Sequence, residues 1–198
     1  MPPARRTEST QRLAGLVAGL LFFAAACALG NQPAAPVDEE LRHYLKTAIE
    51  TSDSFVDRFD AEVWLLSKQE PMGRFFDDPQ QRMDMLRRIH RAASSAGLQP
   101  EVVLAVIEVE SRFDRFAVSS AGAQGMMQVM PFWKNEIGHP DDNLTDIDTN
   151  LRYGCAILKH YLNKANGRLM DALARYNGSY GQYWYPRRVM NAWQDNWR

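Results

Sequence analysis

The chain has 198 residues and a formal net charge of −1, which excludes a bulk electrostatic pull toward nucleic acid. At 45% hydrophobic and 24% charged residues, the composition excludes disorder and leaves room for one domain with an appendage, or two small ones. In chain order, Arg5, Arg6 and Arg12 precede an apolar run from Leu13 to Leu29, with Ala24-Ala25-Ala26 just before Cys27. A charged start, an apolar middle and a small-residue end predict a secretory signal over residues 1–30. As a helix the run reaches about 25 Å, short of a bilayer core of about 30 Å, so an uncleaved anchor is the second choice.

Two processing routes stay open at Cys27. One is ordinary cleavage; the other is lipidation and membrane attachment through the N-terminus, since Ala-Ala-Ala-Cys resembles a bacterial lipoprotein site. Cys155 then stands alone in an apolar helix, a small core residue and not a nucleophile. The expectation is an exported, disulfide-free protein of the periplasm or cell envelope.

Residues 31–90 read as a tether followed by accessory helices. The tether is NQPAAPV; Leu41, Tyr44, Leu45, Ala48 and Ile49 then keep the i, i+3, i+4 spacing of an amphipathic helix. Phe55, Phe59, Val63 and Leu66 extend it until Pro71-Met72-Gly73 interrupts. Pro79 opens a further helix, in which His90 is a lone histidine on a basic helix and carries no ligand role.

Residues 91–198 hold the chemistry. Pro100 and Glu101 suit a first helical turn, and six apolar residues from Val102 to Ile107 lead into Glu108-Val109-Glu110-Ser111. Two residues apart on a helix, Glu108 and Glu110 point about 200° apart, so they are not expected to share one site. One carboxylate is expected to be solvated and the other to enter a cleft. Ser119 to Gly125 breaks the periodicity, and Met126-Met127-Gln128-Val129-Met130 stops at Pro131.

Asp141 to Asp148 invites a calcium reading but lacks the glycine and glutamate of an EF-hand, and helix capping by Asp146 or Asp148 is the better account. Leu151, Cys155, Leu158 and Leu162 form the stripe of the next helix, which Asn166-Gly167 ends. Another starts at Met170 and stops at Tyr176-Asn177-Gly178, and a last one follows Pro186. β-type alternation is nearly absent, so the expected fold class is all-α.

Three ordered motifs carry a resemblance. Glu110-Ser111 with Phe113, then Gly125-Met-Met-Gln-Val-Met-Pro131, then Ala174-Arg-Tyr-Asn-Gly178 resemble the catalytic domain of family 1 lytic transglycosylases. This is the soluble lytic transglycosylase type, with a lysozyme-like helical fold shared with goose-type lysozymes. The resemblance covers residues 98–185, and the chain departs from the usual Asn-Ala-Gly by going from Asn177 straight to Gly178.

The resemblance implies non-hydrolytic cleavage of the β-1,4 bond between N-acetylmuramic acid and N-acetylglucosamine in peptidoglycan, leaving 1,6-anhydro ends. It makes Glu110 general acid and then general base, where ordinary glycosidases need two carboxylates. It casts Tyr176 as the phenol that orients Glu110. Ser119 and Gln128 become hydrogen-bonding partners of the sugar and its acetamido group, Met130 the cleft floor, and Asn177 a holder of local geometry or a substrate contact. No metal or organic cofactor is implied, and peptidoglycan strands are the expected partner. Asp114 reads as structural. Two alternatives remain: a hydrolytic muramidase with a second carboxylate, Asp114 or one of Asp141 to Asp148, and a non-catalytic glycan-binding envelope protein.

Overall fold

The computed structural model describes residue 39 and residues 58–198. The export segment, Cys27, the tether and the first accessory helix therefore lie outside the described residues. Within residues 58–198 seven α-helices follow in order: α1 Arg58–Met72, α2 Pro79–Ser95, α3 Pro100–Ser111, α4 Trp133–Ile137, α5 Ile147–Lys164, α6 Leu169–Tyr176 and α7 Trp184–Ala192. A π-helical turn, Trp193–Trp197, ends the chain. Among the described residues only isolated bridges, Val118 with Gln124 and Gln124 with Val129, have β character. The expected all-α class is what the molecule has.

Helix boundaries follow local chemistry. Asp78 caps α2, accepting from the Gln80 N–H, with Pro79 in the first turn. Of the two aspartates weighed for α5, Asp146 is the cap, accepting from the Thr149 N–H at 2.9 Å, while Asp148 pairs with Arg88 of α2. The expected stop at Pro71-Met72-Gly73 comes slightly late. α1 runs through Pro71 to Met72; a last-turn proline removes one helical bond, and the Met72 side chain is fully buried. α2 continues without a break across residue 90.

The centre of the molecule is α3. Its run Val102 to Ile107 is buried on every side, which explains why six apolar residues follow one another without polar relief. α2, α7 and the π-helical turn pack around it, and α5, α6 and α7 close the far side. Among the described residues no single helix is long and apolar enough to cross a membrane.

The loop from Arg112 to Pro131 is held from below by one buried side chain. Asn150 of α5 accepts from the Met127 N–H at 2.7 Å and donates to the Gln124 and Leu144 carbonyls, each at 2.9 Å. The backbone comes so close that a Cβ at Gly125, where φ is +75°, would lie 2.3 Å from the Leu144 oxygen. Gly154 admits Met127 in the same way: a Cβ there would sit 2.6 Å from the Met127 Cβ. From above, the Ser111 Oγ at the end of α3 donates to the Met126 carbonyl at 2.8 Å.

Asn150→Leu keeps the branched shape and removes all three bonds, leaving a buried N–H and two carbonyls to find partners. We expect a loss of about 2–4 kcal/mol, read as a lower denaturation midpoint at unchanged m-value.

Candidate active site

Glu110 occupies the last turn of α3, where the helix breaks abruptly. Arg112 and Phe113 both adopt left-handed backbone, at φ 54° and 67°, a conformation non-glycine residues adopt at a cost. The break is anchored by Phe113, which is buried against Phe75 and Trp197 at ring distances of 4.6 and 5.7 Å. The result is a partly buried carboxyl at the wall of a cleft of about 610 Å³. Across from it stand Arg188, Asn191 and Asp195, which recur at i, i+3 and i+7 and so share a face of α7 and its π-helical extension.

The Glu110 carboxyl accepts a hydrogen bond from the Tyr185 hydroxyl at 2.6 Å. Loss of water around it pushes its pKa from the ordinary 4.5 up to about 7. The Tyr185 bond and the Arg188 charge work against that rise, since both favour the ionised form, but desolvation is the larger effect. A carboxyl poised near neutrality, held in one orientation and open to a cleft, can give up a proton and take one back.

Glu108 has a different task. It accepts from Trp197 Nε1 at 2.6 Å and from Asn196 Nδ2 at 2.9 Å, with Arg74 3.9 Å away. The expectation that one of the two glutamates would be solvated is corrected here: Glu108 is bonded to the C-terminal turn. Both residues border the cleft, because that turn extends it along α3, but their carboxylates take different partners.

The other expected site residues are placed as follows. Tyr176 donates to the Met127 carbonyl at 2.7 Å, so the phenol bonded to Glu110 is that of Tyr185. Tyr176 stays within electrostatic reach of Glu110: burial first, then that carboxylate's charge, raise its pKa far above the ordinary value. Gln128, itself left-handed at φ 50°, donates Nε2 to the Gly125 and Ala117 carbonyls at 2.9 and 3.1 Å. The Ser119 Oγ accepts from the Ala123 N–H at 3.0 Å. Met130 is half-buried, and exposed Asn177 caps the end of α6. None of these four lines the cleft around Glu110, although Ala117, one of the Gln128 partners, does.

Nor do the carboxylates named for a muramidase line it. Asp114 is exposed and accepts from the Phe116 N–H of its own turn. Asp142 accepts from the Tyr153 hydroxyl, Asp146 caps α5, and Asp148 pairs with Arg88. Cys155 is buried, which pushes its thiol up to about 12. Sequence reasoning missed Tyr185, Arg188 and Asp195. The signal available was the helical register set by Pro186, which puts Tyr185, Val189 and Ala192 on an inward stripe and the two charged residues on another face.

Comparison with known proteins now adds a family. The transglycosylase SLT domain matches residues 87–192. The chain is 35% identical over 99 residues to membrane-bound lytic murein transglycosylase F of Desulfosudis oleivorans, covering 47% of this chain and 21% of that protein. It is 32% identical over 109 residues to the transglycosylase of Enterobacteria phage PRD1, covering 52% and 40%. Against membrane-bound lytic murein transglycosylase C of Yersinia pestis the identity is 29% over 109 residues, covering 47% and 30%. The chain thus spans well under half the length of these relatives.

Because its folded pKa lies above the unfolded value, Glu110 stabilises the fold least at high pH. Stability falls as pH rises from 4.5 to about 7. Glu110→Gln should therefore be more stable than the parent above pH 7, by roughly 1–3 kcal/mol, and the gap should close below pH 4.5. In Tyr185→Phe the carboxyl should titrate higher still, as followed by carbon-13 NMR of labelled glutamate. A downward shift would mean that the Tyr185 hydrogen bond does not favour the carboxylate.

Proposed function

This chain belongs to the transglycosylase SLT domain family, and we propose that it is a murein lytic transglycosylase acting on peptidoglycan glycan strands. One observation carries the reading: Glu110 at the end of a buried helix, its carboxyl raised to about 7 and aligned by the Tyr185 hydroxyl at the wall of a cleft.

The chemistry follows from that carboxyl alone. Protonated Glu110 gives its proton to the glycosidic oxygen as the bond from C1 breaks and the electron pair leaves with that oxygen. The C6 hydroxyl oxygen of the same muramic residue then attacks C1, and its proton returns to Glu110. No water is consumed, the glutamate is regenerated, and the product ends in a 1,6-anhydro ring. The Tyr185 hydroxyl steadies the carboxylate between the two transfers, when it is ionised. Tyr176, Gln128 and Ser119 act one layer out, fixing the loop beside the reacting residue; Met130 and Asn177 complete the surface a strand passes over.

A second reading has one observation of its own. Asp195 lines the same cleft as Glu110, so a water-activating carboxylate is available to a hydrolytic muramidase. We propose that the protein acts at the cell envelope, in keeping with relatives named membrane-bound, exported by residues 1–30 with either ordinary cleavage of that segment or lipidation of Cys27.

Digestion of purified murein by the chain, with Glu110→Gln alongside, tests the reading by mass spectrometry of the products. We expect 1,6-anhydro muropeptides from the parent and a loss of at least about a hundredfold in the variant. Reducing ends in place of anhydro ends would transfer the assignment to the muramidase and to Asp195. Binding to murein without products would leave a glycan-binding envelope protein.

A further inference from the structure

Two cations line the cleft, Arg112 and Arg188, and the chemistry above uses neither. Arg188 projects from α7 into the space that Glu110 borders, and its residue is exposed. Among the described residues no hydrogen bond or ion pair engages its guanidinium. The other basic side chains nearby are occupied. Arg112 lies over the Phe75 ring at 5.6 Å. Arg74 stacks on Phe75 and Trp197 and bonds the Asn196 Oδ1 at 2.7 Å. Asn191, one turn on from Arg188, lines the same wall and offers an amide beside it.

A planar guanidinium with free donors, next to an amide and at the mouth of a catalytic cleft, matches a carboxylate in shape and charge. Neutral sugar hydroxyls do not require a full cation; a muramic residue does carry carboxyl chemistry, on its lactyl ether and on any peptide attached there. Resting on the glycan-strand reading above, we infer that Arg188, with Asn191, forms an anion subsite that takes a carboxylate from the substrate strand and thereby selects carboxylate-bearing muramyl units.

The position of this subsite ties recognition to chemistry. The charged and titratable groups around Glu110 are Glu108 from α3, Arg112 from the break after it, Tyr176 from α6, Arg188 and Tyr185 from α7, and Asp195 from the C-terminal turn. Arg188 is the one whose charge holds the Glu110 carboxyl down. A carboxylate docked on Arg188 cancels much of that field, so filling the subsite favours the protonated acid that bond cleavage needs. By linkage the coupling is reciprocal: protonated Glu110 repels the incoming anion less.

Calorimetric binding to three soluble glycan tetramers tests the subsite without turnover, in the full chain carrying Glu110→Gln. The tetramers carry free lactyl carboxylates, lactyl amides, or lactyl-linked peptide stems with their own carboxylates. We expect one carboxylate-bearing form to bind about fivefold to tenfold more tightly than the amide, the preferred form naming the source of the anion. Adding Arg188→Gln should abolish that difference, and Arg188→Lys should restore part of it. In the parent enzyme, Arg188→Gln should also move the alkaline limb of activity to higher pH. Equal binding of all three glycans, no binding of any, or a preference that survives Arg188→Gln overturns the inference. A preference lost with Arg188 in a protein that yields no anhydro products would sustain the subsite while removing the transglycosylase reading.

Discussion

The geometry around Glu110 depends on an amide that is not among the residues lining the cleft. Asn150 sits on the buried side of α5, and its side chain meets three backbone groups of the segments that form the floor beneath α3. A leucine there would satisfy the helix stripe better, but it would leave a buried N–H and two carbonyls without partners. The polar choice fixes the loop in one register. Gly125 and Gly154 then let backbone and Met127 approach at distances no larger residue permits. Ser111 ties the same loop upward to the helix that carries Glu110, so the loop and that wall of the cleft form one bonded unit.

On that unit, desolvation and hydrogen bonding act in opposite directions on one carboxyl, and desolvation wins. If the Tyr185 bond and the Arg188 charge prevailed, Glu110 would be ionised at neutral pH and could only accept protons. With burial ahead by a moderate margin the group titrates near 7, where it can donate and then accept. The Tyr185 hydroxyl favours the ionised form that remains once a proton has been given up, at the cost of making that carboxylate a weaker base. That balance suits a single carboxyl doing two jobs better than it suits a fixed acid.

The parts legible in the sequence are those governed by short spacing. The apolar run before Glu110 announced a buried helix, Pro100 its start, Pro79 the start of the helix before it, and Asp146 a cap. Glu110 emerged from three motifs whose order and spacing chance would not supply. Tyr185 did not, because it lies 75 residues away from its partner and within a run where Tyr180, Tyr183 and Trp184 are all exposed. Within the run only the helical register set by Pro186, which aligns Tyr185 with Val189, distinguishes the one ring that turns inward. Asn150 was hidden for the opposite reason: periodicity assigns a polar residue to the surface, and only its three backbone partners justify its burial.

The segment before α2 belongs to the same argument. Left-handed backbone at Arg112 and Phe113 is disfavoured for both residues, and the surrounding packing must hold it. The holding group is aromatic: Phe75, which follows α1, contacts Phe113 and Trp197, and Arg74 beside it joins Glu108 and Asn196. Glu108 in turn secures the turn that carries Asp195, the far wall of the cleft. Two glutamates two residues apart thus divide the work along α3, one bonding the wall in place and one facing the opening. The helical segment that precedes the family match is therefore physically part of the unit that builds the cleft, since the break beside Glu110 is stabilised by side chains at its end.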